Sequence, residues 1–157
     1  MLHIPRDARL KDAVALPRLY LYFHAPTYGE PSFFEAEAAA YLLADGRGSL
    51  LHRALVVETR AASATSGWFL PAVGVSSLVL SITGHPGVAL PALRSAVMRA
   101  LEDIRRAPLE PGDALRARNL NLSAALIQWE SLTQRANLLS EAVTLFGDPG
   151  AAMEQRK

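Results

Sequence analysis

The sequence of residues 61–82 is AASATSGWFLPAVGVSSLVLSI, and it holds two strand-like segments separated by a turn. The first, Ala61–Phe69, alternates weakly between polar and apolar residues. The second, Ser76–Ile82, is rich in aliphatic residues and is the stronger strand signal. Pro71 and Gly74 lie between them, and both residue types are typical of turns. The segment therefore predicts a β-hairpin with a longer connecting loop.

The chain before this hairpin predicts one further strand and two helices. Leu19–Ala25, LYLYFHA, is apolar or aromatic at nearly every position, which predicts a strand buried on both faces. A helix is expected over Ser32–Ala44, because its first residue and Glu35 have the spacing of a capping box. Ser49 is expected to cap a second helix over Leu50–Glu58. The residues expected on the inner faces are Phe34, Ala38, Tyr41 and Leu42, then Leu51 and Leu55.

The chain after the hairpin is predicted to be helical. Pro91 suits the first turn of an amphipathic helix, whose apolar stripe is Leu93, Val97, Leu101 and Ile104. A longer helical region begins at Pro111, and its stripe is Leu115, Leu122, Leu126, Trp129, Leu132, Ala136, Leu139, Val143 and Phe146. This stripe spans about nine turns, so a break near Ser131 is expected. It predicts a layer of the domain's own core, and the alternatives are a homodimer seam or a face left open by an absent partner.

The composition limits the class of protein. The chain has 157 residues, half of them apolar, which predicts a single domain over residues 18–157. Residues 1–17 are weakly patterned and contain Pro5 and Pro17, which predicts a linker or an extended lead-in. The net charge of +1 disfavours a nucleic-acid-binding protein. The absence of cysteine excludes disulfides, thiolate zinc sites and cysteine nucleophiles. No apolar run reaches the roughly 18 residues of a membrane span.

The order of the predicted elements indicates the fold class. One strand and two helices are followed by two strands and then two or three helices. This order predicts an α+β domain of two layers, with a mainly antiparallel sheet, helices packed on one side and a long C-terminal helical region.

Several short motifs occur in a fixed order along the chain. They are Ala25-Pro26-Thr27-Tyr28-Gly29-Glu30-Pro31, then DGRGSLLHRALV over Asp45–Val56, then Pro86-Gly87, Glu130-Ser131 and Gly147-Asp148-Pro149. In this order, the segment from Leu19 to Pro149 resembles the second, non-zinc domain of the insulinase-type (pitrilysin) zinc metallopeptidases, which include mitochondrial processing peptidase. The matching family patterns are AP-x-YG-x-P, GGGRSSRLYRALV, a Pro-Gly turn, an ES pair and a GDP end.

The resemblance also implies what this chain lacks. The family binds zinc through an HxxEH motif and a distant glutamate in the preceding domain, so zinc is expected in a catalytic domain that this chain does not contain. The histidines here are His3, His24, His52 and His85, and no two have that spacing. An arginine and a tyrosine that bind substrate in many active members fall at Val56 and Ser63. The family domain continues beyond the GDP end, so truncation at the C-terminus is expected.

The resemblance implies a non-catalytic domain of a zinc metallopeptidase or of its inactive paralogue, which forms the wall of a peptide-binding chamber and an interface between domains. The expected partners are the absent zinc-binding domain or a catalytic subunit, and the peptide substrate of the parent protein. Trp68 and Phe69 are candidate contacts for such a partner. The alternative is a stand-alone protein-interaction module without a peptidase parent.

The candidate substrate-binding residues lie around one turn, and they are Gly46, Arg47, Ser49 and Arg53. Backbone N–H groups before a helix can hold an anion, although the P-loop lysine is absent. The arginines, with Arg60, could recognise carboxylates, and the alternatives are a structural connector and a solvated mixed surface. For His24 a local hydrogen bond is favoured over a metal site with Glu30 and Glu35, and for His52 a half-buried packing position is favoured.

Overall fold

A three-stranded antiparallel sheet is the centre of the fold in the computed structural model, which describes residues 7–11, 13–28, 30–70, 72 and 74–150. The strands are β1 (Arg18–Ala25), β2 (Ala62–Leu70) and β3 (Ser76–Gly84). Their order is β1–β3–β2, so β3 is the middle strand and the predicted hairpin is confirmed. Parts of the predicted lead-in, the residues Gly29 and Pro71, and the last seven residues lie outside the described residues.

The helices form the second layer, which confirms the predicted α+β class. They are α1 (Pro31–Ala44), α2 (Leu50–His52), which continues as a π-helix (Arg53–Glu58), α3 (Leu90–Arg106), α4 (Pro111–Glu130) and α5 (Leu132–Phe146). The predicted break at Ser131 is present, because this residue ends α4 and its hydroxyl accepts a hydrogen bond from the Gln134 N–H at 3.4 Å.

The core lies between one face of the sheet and the helices. Its fully buried members are Ala44, Leu51, Leu55, Ala62, Leu80, Ile82, Leu93, Val97 and Ala100. The inward positions predicted for the second helix are therefore confirmed. The predicted stripe of α3 is confirmed as well, with its later members, Leu101 and Ile104, partly buried against the same cluster.

Strand β1 is not buried on both faces, contrary to the prediction. Leu19 and Leu21 pack against the core, whereas Tyr20 and Tyr22 keep 44% and 66% of their surface exposed. Successive side chains of a strand point to opposite faces, and the helices cover only one face of this sheet. An apolar run that predicts two buried faces is here a strand with one face uncovered.

The N-terminus and the inner face of α1 differ from the prediction. The helix begins one residue early, at Pro31, with Glu30 as N-cap, so Ser32 lies inside the helix and does not cap it. Proline is pre-organised for the first helical position, which explains the earlier start. The buried side chains are Phe33, Ala40 and Ala44, while Phe34, Ala38, Tyr41 and Leu42 are only partly buried.

The long apolar stripe of α4 and α5 is not a core layer, which corrects the prediction. Leu115, Leu126 and Leu132 are 56%, 65% and 74% exposed. Helix α4 packs against α1 and not against the sheet, and it makes this contact through its opposite side, where Ala117 is buried. Small side chains allow the two helices to approach closely, so the large aliphatic residues are left outside.

The chain leaves the second helical segment through a strained residue. The π-helix ends where the Thr59 N–H bonds to the carbonyl of Ala54, five residues earlier, at 3.1 Å. Arg60 follows with a φ of +50°, in the left-handed region that non-glycine residues rarely occupy.

Replacement of Arg60 with glycine should stabilise the protein. The left-handed conformation costs a non-glycine residue roughly 1 kcal/mol, and glycine's greater freedom in the unfolded chain offsets part of the gain. We expect Arg60→Gly to raise the free energy of unfolding by up to about 1 kcal/mol in urea denaturation. Arg99→Gly, at an exposed position within α3, should instead lower it by about 1 kcal/mol. Equal losses in both variants would show that Arg60 is not strained.

Candidate functional site

The turn between α1 and α2 holds the predicted site residues. Gly46, directly after the C-cap Asp45, has a φ of +72°, the conformation in which glycine commonly ends a helix. Ser49 is fully buried, its N–H donates to the Gly46 carbonyl at 3.2 Å, and its hydroxyl accepts from the His52 N–H at 3.4 Å. Ser49 therefore caps α2 as predicted and fixes the turn, while Gly46 and Arg47 remain exposed.

Arg116 of α4 holds this turn in place through hydrogen bonds to its backbone. Its guanidinium donates to the carbonyls of Leu42 at 3.2 Å and Asp45 at 3.3 Å, at the C-terminal end of α1. A cation is favourable there, because the helix dipole makes that end negative. The side chain also crosses Gly48, where a Cβ atom would lie 3.0 Å from the Arg116 Cδ. The turn is thus held against α4 by a residue that the sequence analysis missed.

Arg53 is also held by α4, through an ion pair with Asp113. The Asp113 side chain is only 10% exposed and lies in the first turn of α4, where the helix dipole favours a negative charge. The Arg53 side chain is 45% exposed, so part of its surface stays accessible to solvent. The structure therefore brings the four predicted residues together at one end of the helix layer, with Asp113 and Arg116 beneath them.

The other polar positions singled out in the sequence lie elsewhere. His24 is exposed on β1, and His52 is half-buried in α2. Ser63, the position that the resemblance compares with a substrate-binding tyrosine, donates to the carbonyls of Thr83 at 3.1 Å and Gly84 at 3.2 Å, beside an irregularity in the β2–β3 pairing. Within the described ranges, no three metal-ligating side chains come together.

The sheet face opposite the helices carries the exposed rings of Tyr20, Tyr22 and Trp68. We call it the uncovered sheet face, and its residues are Arg18, Tyr20, Tyr22, His24, Ala64, Ser66, Trp68, Leu70, Ser77, Val79, Ser81 and Thr83. Tyr22 and Trp68 flank Val79 in the register, and Val79 is fully buried although none of the described helices covers this face. The flanking rings therefore shield it and themselves remain 66% and 40% exposed.

One corner of the uncovered sheet face is charged. Arg18 donates a hydrogen bond to the Tyr20 Oη at 3.2 Å, and this contact lowers the pKa of Tyr20. Trp68 was predicted as a partner contact together with Phe69. Phe69 instead points to the helix side, where its ring lies 5.2 Å from that of Phe33 in an edge-to-face contact.

Comparisons with known proteins find structural similarity to zinc proteases. No protein-family model and no curated protein matches the sequence. A proposed zinc protease from Bordetella pertussis Tohama I has a similar structure, with a TM-score of 0.78 and 27% identity. The match covers 92% of this chain and 79% of that protein. The inactive peptidase domain of a proposed zinc protease from Bordetella parapertussis is also similar, with a TM-score of 0.80 and 26% identity. This match covers 94% of this chain and 78% of that domain.

A third solved structure extends the comparison. A protease from Helicobacter pylori matches 92% of this chain with a TM-score of 0.77 and 20% identity, and the chain spans 36% of that protein. The chain therefore has a zinc-protease-like fold, and one of the structures that share it is an inactive peptidase domain. Among the helices that are described, none combines the length and the apolar character needed to cross a membrane.

Proposed function

We propose that this chain is a non-catalytic, insulinase-type peptidase-like domain that lines a peptide-binding chamber and docks on a catalytic domain or subunit. Zinc and the catalytic residues belong to that partner. The observation that carries the proposal is the uncovered sheet face, where Tyr22 and Trp68 remain 66% and 40% exposed in a chain with a zinc-protease-like fold.

The uncovered sheet face has the chemistry of a protein-docking surface. Exposed aromatic rings are enriched at interfaces, because burying them gains about 25 cal/mol per Å² of apolar surface. The remaining side chains are mostly small or hydroxylated, and no carboxylate lies on this face, so few charges would have to be desolvated. A partner could pack flat against it, as sheets do in two-layer folds.

The turn around Gly46 is proposed to contact the peptide. Gly46 and Arg47 are exposed, and a guanidinium can bind a carboxylate through two parallel hydrogen bonds. Arg53 adds a second, half-exposed cation, oriented by Asp113. Ser49 serves by holding the shape of the turn, since its own hydroxyl is buried.

The second candidate function is a stand-alone protein-interaction module. The same exposed aromatic face would serve it, and no peptidase activity would be associated with the natural protein. The two candidates differ in the natural reading frame, which encodes an HxxEH motif only if the chain is a domain of a peptidase.

The proposal is tested with the full-length natural protein and an unstructured peptide substrate. We expect cleavage that a zinc chelator abolishes, while the 157-residue chain alone is inert. The double substitution Tyr22→Ser and Trp68→Ser should lower kcat/KM by about tenfold or more, because buried aromatic residues dominate interface energies. The control is Leu126→Ser, which removes a 65% exposed residue from α4 and should change kcat/KM by less than about twofold.

Two results would contradict the proposal. Cleavage by the 157-residue chain alone would show that it is catalytic. Equal losses in the Leu126→Ser control and the aromatic double variant would show that the uncovered sheet face is not the docking surface. A full-length protein that is inert would favour an inactive paralogue that docks on a separate catalytic subunit, and a failure to find such a subunit would favour the interaction module.

A further inference from the structure

Helix α4 presents one side to solvent in the part of the chain that the structure describes. The helix packs against α1 through the side that carries the buried Ala117. Leu126 follows Ala117 by nine residues, which is two and a half helical turns, so it lies on the opposite side and is 65% exposed. Leu115 and Leu122 lie on this outer side as well and are 56% and 48% exposed.

One row of residues on the outer side carries charges of opposite sign at its two ends. Residues four positions apart form a continuous ridge along an α-helix. Such a row is formed by Arg118, Leu122, Leu126 and Glu130, and all four are exposed. We call this row the α4 ridge. Its order, a cation, two leucines and a carboxylate, is complementary to itself when it is read in the opposite direction.

The two charges at the ends of the α4 ridge are not compensated within the described residues. Neither Arg118 nor Glu130 takes part in the ion pairs found there. Glu130 also ends α4, where the helix dipole disfavours a negative charge, and the last turn contains no basic residue. A cation brought beside Glu130 and a carboxylate brought beside Arg118 would therefore both be stabilising.

We infer that the α4 ridge is the seam of a homodimer, in which two copies of this chain pack antiparallel about a two-fold axis. The axis passes beside Ala124. This residue is midway between Arg118 and Glu130, and it is also midway between the two leucines of the ridge. The two-fold axis forms each contact twice, so two ion pairs flank two leucine contacts. A parallel arrangement would bring like charges together instead.

The size of the outer side predicts a weak dimer. From Leu115 to Glu130 it is about 22 Å long and about 10 Å wide, the dimensions of one side of an α-helix. This area is well below the roughly 800 Å² that each partner buries in a stable complex. We therefore expect a Kd on the order of 10–100 µM. The copies are then separate at the nanomolar concentrations of a peptidase assay, so kcat/KM does not depend on the ridge. The inference is independent of the proposed function.

Sedimentation equilibrium of the 157-residue chain tests the inference through variants of the two charges. We expect a mass that rises from 16.9 kDa toward twice that value between low and several hundred micromolar. Arg118→Glu and Glu130→Arg should each raise Kd by about tenfold or more, because each places like charges together at two positions. The double variant exchanges the two charges and should return Kd to within about threefold of that of the unchanged chain.

Two controls separate association from folding and from net charge. Glu130→Arg puts a cation at the C-terminal end of α4, where the helix dipole favours it, so this variant should not weaken the helix. Arg99→Glu, at an exposed position of α3, changes the net charge as Arg118→Glu does and should leave Kd unchanged.

Disulfide cross-linking tests the direction of the two helices, because the chain has no cysteine of its own. An equal mixture of the Arg118→Cys and Glu130→Cys variants should form a linked dimer on mild oxidation, since the mixture keeps one of the two ion pairs. Each variant alone should form little, because its own cysteines lie at opposite ends of the seam.

Several results would overturn the inference. One is a monomer at every concentration, and another is a Kd that the two charge reversals leave unchanged. Efficient cross-linking within either cysteine variant alone would contradict the antiparallel arrangement. Dissociation of the dimer by the combined Tyr22→Ser and Trp68→Ser substitutions, without any effect of the charge reversals, would assign the seam to the uncovered sheet face.

Discussion

Phe33→Ala is expected to lower the free energy of unfolding by about 3–5 kcal/mol. Phe33 is 2% exposed and joins α1 to the sheet. Its ring lies 5.2 Å from that of Phe69 on β2 and 5.0 Å from that of Tyr28, in edge-to-face contacts with both. Truncation removes these contacts and leaves a cavity that helix and strand cannot close without moving.

The adjacent Phe34 provides the matched control. The sequence pattern placed Phe34 on the inner face of α1, whereas the structure leaves it partly exposed. Phe34→Ala should therefore cost only about 1–2 kcal/mol, since less of its surface is buried. Urea denaturation of both variants measures the difference. A larger loss for Phe34→Ala would mean that the inner face of α1 is the one predicted from the sequence.

Gly67→Ala is expected to destabilise the fold by about 1–3 kcal/mol, although alanine usually suits a strand better than glycine. A Cβ atom at Gly67 would lie 2.8 Å from the Cβ of Ala44 and 3.1 Å from the Cδ2 of Leu80. The first of these distances is far below van der Waals contact. Either α1 must move away from β2 or the strand must shift, and both loosen the core.

A double-mutant cycle isolates this contact. Ala44→Gly removes the opposing Cβ, so the variant that combines it with Gly67→Ala should be more stable than the two single losses predict, by about 1–2 kcal/mol. Gly112→Ala is the control, because a Cβ there meets nothing within 4 Å and alanine favours the helix, which predicts a small gain. Additive losses in the cycle would show that Gly67 is not needed for the close approach of α1.

Local patterns predicted the elements whose contacts are close in sequence. The β2–β3 hairpin, the cap at Ser49 and the break at Ser131 each depend on neighbours within a few residues. The stripe of α3 was also predicted correctly, because this helix packs directly on the core with one face.

The errors share one cause, which is that a pattern does not state what covers a surface. The apolar run of β1 and the stripe of α4 and α5 both predict burial, and both have a face that the described residues leave open. Leu132, in the middle of the stripe, is 74% exposed. The packing order of the elements, in which α4 packs on α1 and α5 packs on α4, determines that exposure.

The sequence predicted the turn around Gly46 as the candidate site, but not the residues of α4 that hold this turn, Asp113 and Arg116. Arg53 and Asp113 are 60 residues apart, and Arg116 reaches the carbonyl of Leu42 across 74 residues. Both α4 residues belong to ordinary helical patterns, and no local signal distinguishes them from solvated charges. Asp113 and Arg116 are recognised as supports of the turn only once the structure packs α4 against it.

The strand order also has a consequence for synthesis of the chain. Arg18 in β1 pairs with Thr83 in the middle strand, 65 residues later, so the first strand leaves the ribosome long before its partner. At about 5–20 residues per second the wait is roughly 3–13 s. During that time LYLYF, an uncharged segment of high β-propensity, is unpaired in the nascent chain. This short aromatic segment is therefore exposed to association with other chains until translation has passed β3.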